Sequence, residues 1–190
     1  MSKIELLHGD CLEKMKDIPD GSVDLIVTSP PYYLNKEYEK TISYENYCLM
    51  MEKSFVEWNR VLVGGGYVVV NFGDYFNSGN RFYVADVPSC YPATINYFKW
   101  GVEVAGMDLQ ATRIWRKQFA KIPFNGQAKI APRNLFDYEH IWTFRKKDGT
   151  GKEKVRDIKL SCRGVLGEDW TSKAGLDIHC ASFPIELPTW

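Results

Sequence analysis

The decapeptide DLIVTSPPYY, residues 24–33, decides how this 190-residue chain is read. Residues 25–28 are mostly apolar and partly β-branched, and they are expected to form a fully buried strand. Pro30 and Pro31 end it, because neither carries an amide hydrogen for a ladder. A strand stopped in this way holds a polar tip at the carboxyl edge of a sheet, which is where ligands bind in open α/β folds. The fold class is therefore expected to be α/β.

The tip offers the Ser29 hydroxyl, a Pro30 carbonyl that no regular ladder uses, the rigid Pro31 and the flat ring of Tyr32. Such a set suits an exocyclic amine of a nucleobase, whose lone pair is delocalised until the nitrogen is held in a geometry that localises it. The stretch resembles the exocyclic-amino DNA methyltransferases, which use S-adenosylmethionine and carry (Asp/Asn/Ser)-Pro-Pro-(Tyr/Phe/Trp) as their catalytic motif. The resemblance implies that Ser29, Pro30, Pro31 and Tyr32 are catalytic and that a base is flipped onto Tyr32. Ser at position 29 resembles the enzymes acting on the 4-amino group of cytosine more than those acting on the 6-amino group of adenine. Two other readings compete. Pro-Pro-x-Tyr is also a ligand of WW-type domains, though those ligands lie in exposed polyproline segments, and a Pro-Pro turn can be purely structural.

Upstream, residues 4–7 read as a short buried strand, and Asp10 as a helix cap or ligand contact before Leu12, Met15 and Ile18 at helical spacing. The whole run LLHGDCLEKMKDIPDGSVDLIVTSPPY, residues 6–32, resembles the opening of the permuted (beta-class) methyltransferases, in which the catalytic motif precedes the main cofactor motif. That resemblance places Asp10, with Cys11 beside it, against the cofactor. HCASFP, residues 179–184, resembles the segment that packs on the cofactor in that family, so Phe183 and Pro184 join the expected cofactor contacts. Cys180 stands there where Pro is usual.

Between these anchors, residues 34–43 read as a mobile loop over the base. Tyr47, Met51, Phe55, Trp58 and Leu62 mark an amphipathic helix over 44–62. Gly64, Gly65 and Gly66 precede the strand 67–72 instead of following one, the wrong order for a phosphate cradle, and read as a turn into it. A helix over 88–100 ending at Gly101 and a hairpin of 109–115 with 138–144 complete the pattern. WRK and YEHIWTFRK resemble the last two strands of the family's catalytic domain.

The net charge is zero but segregated: residues 1–60 hold eleven Asp/Glu against seven Lys/Arg, whereas residues 112–135 hold six Lys/Arg and no acid. Those six, Arg113, Arg116, Lys117, Lys121, Lys129 and Arg133, are the expected DNA contacts. Residues 116–136 and the polar stretch 146–175 are the candidate DNA-contacting loops of a single domain, 1–190. Five scattered cysteines, none in a C-x-x-C pair, suggest neither a disulfide framework nor a zinc site. No signal segment or membrane span is read, and a cytoplasmic location is expected.

The family's sheet has strand order 3-2-1-4-5-7-6, and its Gly-rich Asp-Pro-Phe-x-Gly-x-Gly loop follows the segment that residues 179–184 resemble. No Gly-rich loop after a strand occurs in this sequence. The expected architecture is thus a partial Rossmann-like class I methyltransferase sheet flanked by helices, with strands resembling 3, 4, 5, 6 and 7 and lacking the first two. Such a sheet leaves the catalytic strand uncovered at its edge. Either a second polypeptide or second copy completes it, as half of a split enzyme within a restriction-modification system, or the chain is a non-catalytic remnant that binds DNA or a partner.

Overall fold

The computed structural model describes residues 3–33, 39, 41–76, 90–116, 138–148 and 165–166. Asp10 opens the first helix, α1 (Cys11–Met15), and its Oδ1 accepts from the amides of Leu12 at 2.9 Å and Glu13 at 3.2 Å. This is the cap expected from the sequence, and it satisfies two amides that have no partner inside a helix. Met15 is buried, and Leu12 and Ile18 pack against the core.

Strand β1 (Val23–Thr28) leads through the Pro-Pro corner to helix α2 (Tyr44–Val61), which returns the chain to β2 (Leu62–Phe72), parallel to β1. Ser43 caps α2 through its hydroxyl, and Tyr47, Met51, Phe55, Trp58 and Val61 form its buried stripe. At the far end of α2, Lys146 Nζ donates to the carbonyls of Arg60 (3.3 Å) and Leu62 (2.8 Å), placing a cation at the negative end of the helix. Arg60 ties this end to the first helix: its guanidinium donates to the carbonyls of Met15 at 2.7 Å and Ile18 at 2.9 Å, and pairs with Glu57 and Asp20.

A two-stranded ribbon, β3 (Tyr75–Phe76) with β4 (Cys90–Tyr91), precedes helix α3 (Thr94–Phe98), which widens into a π-helical turn over Lys99–Val104. Strands β5 (Asp108–Arg116) and β6 (Tyr138–Arg145) pair antiparallel, and β7 (Val165–Leu166) lies parallel to β5. The sheet order is β1-β2-β6-β5-β7. One face, with Val68, Val70, Phe72, Trp142 and Phe144, is covered by α2, α3 and the π-helical turn. Phe72 and Tyr97 stack there at 3.7 Å.

Several expectations are corrected. Residues 4–7 form no strand; Ile4 and Leu6 are 85% and 91% exposed, because no neighbour among the described residues pairs with them. Among the described residues β1 stands at the sheet edge, the uncovered position expected for it, but it is not fully buried. Val23 and Ile26 face the core, while Leu25 and Val27 on the other face are exposed. The glycines 64–66 lie inside β2, where Gly65 and Gly66 bond to Lys146, so the strand starts earlier than the turn reading implied. The helix expected over 88–100 starts at Thr94 and runs through Gly101, because a glycine is needed where the Phe144 ring presses on the helix backbone. Of the expected loop over 34–43, residues 34–38 and 40 lie outside the described residues, and of the basic connection 116–136 all but Arg116 do. Among those described, no helix is long and apolar enough to cross a membrane, and no cluster of ligands suits a metal ion.

Candidate functional site

Because β1 and β2 run in parallel, Ser29 to Tyr32 and Asn71 emerge at one edge, and antiparallel β6 begins there, with Glu139 as its second residue. Four side chains from three strands meet at this edge. The hydroxyls of Ser29 and Tyr32 are 2.8 Å apart, and Tyr32 donates to Glu139 Oε2 at 3.3 Å. Asn71 Nδ2 donates both to Tyr32 Oη at 2.8 Å and to Glu139 Oε2 at 2.7 Å. Asn71 and Glu139 are buried, so these bonds form in a low dielectric where each counts for more.

The corner is also fixed from below. Tyr47 of α2 donates its hydroxyl to the Pro31 carbonyl at 2.9 Å. Tyr33 adopts φ 57°, a left-handed conformation that costs a non-glycine residue about 1–2 kcal/mol. That cost is offset by its surroundings: its amide donates to the buried Glu39 (2.9 Å), its hydroxyl to the Ile42 carbonyl (3.1 Å), and its ring stacks on Tyr47 at 5.1 Å. Among the described residues no hydrogen bond falls on the Pro30 carbonyl. The ring of Tyr32 lies over Gly73, where an added methyl would stand 3.4 Å from it.

The remaining expected site residues are placed unevenly. Asp10 and Cys11 are exposed at the start of α1; burial of part of the Cys11 side chain, followed by the Asp10 carboxylate, raises its thiol pKa. Arg113 lies in the cross-strand row of Ile141 and Asn71, on the sheet face that carries Glu139. Arg116 closes β5 opposite Tyr138. Lys117, Lys121, Lys129, Arg133, Phe183 and Pro184 lie outside the described residues. Sequence reasoning missed Asn71 and Glu139. The signal was a polar residue interrupting an apolar run, in VVVNF and in YEHIW. It also missed a second cluster, in which Asp74 accepts from the Ala93 amide (2.8 Å) and sits 3.1 Å from His140 Nε2.

A family model described as DNA methylase matches residues 23–188. The chain belongs to the DNA methylase family. The chain is 40% identical over 212 residues to the type II methyltransferase M.Cfr9I of Citrobacter freundii, with 96% of this chain and 69% of that protein covered. Among solved structures it is similar to a DNA modification methylase from Thermus thermophilus complexed with S-adenosyl-L-methionine, at 25% identity and a TM-score of 0.64. That match covers 94% of this chain and 69% of the other. The PvuII cytosine-N4-specific DNA methyltransferase shares the fold, at 23% identity and a TM-score of 0.66, with 95% and 66% covered.

Proposed function

We propose that the chain transfers a methyl group from S-adenosylmethionine to the exocyclic amine of cytosine or adenine in DNA. The observation that carries this is the Ser29-Pro30-Pro31-Tyr32 corner, held at the carboxyl edge by Asn71, Glu139 and Tyr47. Ser29 Oγ and the Pro30 carbonyl accept the two amine hydrogens, and the ring of Tyr32 supports the flipped base. Catalysis then comes from positioning in a site whose polar groups are already oriented. Ser at 29 favours the 4-amino group of cytosine. In this reading β1, β2, β5 and β6 stand for strands 4, 5, 6 and 7 of the family sheet, in a protein that works in the cytoplasm.

The cofactor, when bound, supplies an electrophilic methyl group on a sulfonium. Asp10 fits a contact to it, since the carboxylate is exposed and its cap bonds both use Oδ1. Cys11, Phe183 and Pro184 complete the contacts proposed from this chain. DNA is held by Arg113, Arg116, Lys117, Lys121, Lys129 and Arg133, in a single domain whose segments 116–136 and 146–175 reach the backbone. The outer edge of β1, where Leu25 is 53% and Val27 39% exposed, is the place for strands from a second polypeptide or second copy.

The test is methyl transfer from labelled S-adenosylmethionine to DNA, followed by analysis of the modified nucleosides, with calorimetry of cofactor binding to the chain alone. N4-methylcytosine or N6-methyladenine in the product supports the reading. Ser29→Ala is expected to lower transfer by at least about a hundredfold while leaving DNA binding intact. Full activity in Ser29→Ala removes that hydroxyl from the mechanism. Weak cofactor binding by the chain alone, restored by a complementing chain, supports the split form.

A further inference from the structure

We infer that Glu139, acting through Tyr32, fixes the direction of the hydrogen bond at Ser29, so that the site takes a nucleobase bearing an amine and turns away one bearing a carbonyl. This rests on the nucleobase reading above and adds to it a residue that determines specificity from outside the Pro-Pro motif.

The direction follows from counting donors. An amide nitrogen only donates, so Asn71 Nδ2 supplies a hydrogen to Tyr32 Oη at 2.8 Å and another to Glu139 Oε2 at 2.7 Å. The opposite amide orientation would set Asn71 Oδ1 against the carboxylate, oxygen to oxygen, in a pocket where both residues are buried. Glu139 Oε2, which already takes a hydrogen from Asn71, accepts the single hydrogen of Tyr32 as well, at 3.3 Å. The other lone pair of Tyr32 then takes the hydrogen of Ser29, 2.8 Å away. With its hydrogen turned inward, Ser29 Oγ presents only lone pairs to a ligand. An amine N–H is welcome there, and a carbonyl oxygen meets an acceptor. Glu139 is thus a positioning residue: it touches no substrate, and it sets what Ser29 can hold.

Two nucleoside pairs differ at the amine position, deoxycytidine against deoxyuridine and deoxyadenosine against deoxyinosine. Binding of each to the full chain is measured by ligand-observed NMR titration into the millimolar range. The wild type is expected to prefer the amine member of at least one pair by about tenfold, the scale of one buried acceptor facing another. Glu139→Ala removes the oxygen that accepts from Tyr32, which leaves the Tyr32 hydrogen for Ser29 Oγ and frees Ser29 to donate to a ligand; the preference should fall to about one, with a cooperative melt as the check on folding. Tyr32→Phe cuts the same chain by removing one hydroxyl, so it should lose the preference too, and adding Glu139→Ala to it should change nothing further. Should Glu139→Ala fail to fold, Tyr32→Phe alone decides. A preference that survives in the folded variants overturns the inference and leaves the nucleobase reading standing. Failure of the wild type to bind any of the four overturns both.

Discussion

Replacing Gly101 by alanine tests the packing that holds the site in place. Gly101 lies in the π-helical turn, and a methyl added there meets three ring carbons of Phe144, all inside 3.0 Å. The ring cannot easily withdraw. Phe144 is fully buried, it meets Phe55 edge-on at 5.4 Å, and its backbone is paired to Val68 on one side and Leu109 on the other. Overpacking of a core costs about 1–3 kcal/mol, and this geometry places the variant at the upper end, about 3 kcal/mol. Alanine's better helix propensity returns about 1 kcal/mol, leaving about 2 kcal/mol. For a chain of this length that corresponds to a fall in melting temperature of about 4–8 °C, read by circular dichroism. In a Phe144→Leu background, which trims the ring, the same substitution should cost clearly less, since the two positions are in contact and their effects couple. A melting temperature equal to or above that of the wild type, or an equal cost in both backgrounds, would refute the reasoning.

Asp10→Ala removes the cap of α1 and should destabilise the chain by about 0.5–2 kcal/mol in thermal or denaturant unfolding, whereas Asp10→Asn should retain most of the stability. Tyr47→Phe takes away the hydroxyl that holds the Pro31 carbonyl and should cost about 1 kcal/mol by the same measurement, because the ring packing is kept. Burial, followed by the neighbouring Tyr32 hydroxyl, holds the Tyr97 pKa well above 10, so folding favours its neutral form. That stability is fully present below pH 10 and is lost as the pH rises from there through the folded pKa. Denaturant midpoints of Tyr97→Phe should therefore decline less steeply than those of the wild type above pH 10.

What the sequence made legible was local. Tyr47, Met51, Phe55 and Trp58 at helical spacing gave α2, because one stripe of one helix carries its own periodicity. The alternation around residues 109–115 and 138–144 gave the β5 and β6 pair, and the Asp10 cap was visible as an Asp before a helical pattern. The Pro-Pro corner ends β1 at the expected edge. What stayed hidden depends on distant partners. The uncovered edge of β1 was expected, but the exposure of Leu25 and Val27 on one face was not, because a mostly apolar run does not mark which face stays open. Asn71 and Glu139 meet across 68 residues of chain, and neither is unusual until both are seen at one sheet edge. The π-helical turn through Gly101 needs the Phe144 ring for its explanation, and that ring belongs to another strand.

The Arg60 guanidinium gives the chain an order of assembly. Helix α1 has five residues, far fewer than the roughly 12–15 that an isolated helix needs to persist in water. It is fastened by carbonyl contacts that exist only once the last turn of α2 has formed, more than forty positions later. The amino-terminal segment bearing Asp10 is therefore expected to dock late and undock early. Amide hydrogen exchange should find α1 opening well before the central strands, as a latch whose bolt is carried by another part of the molecule.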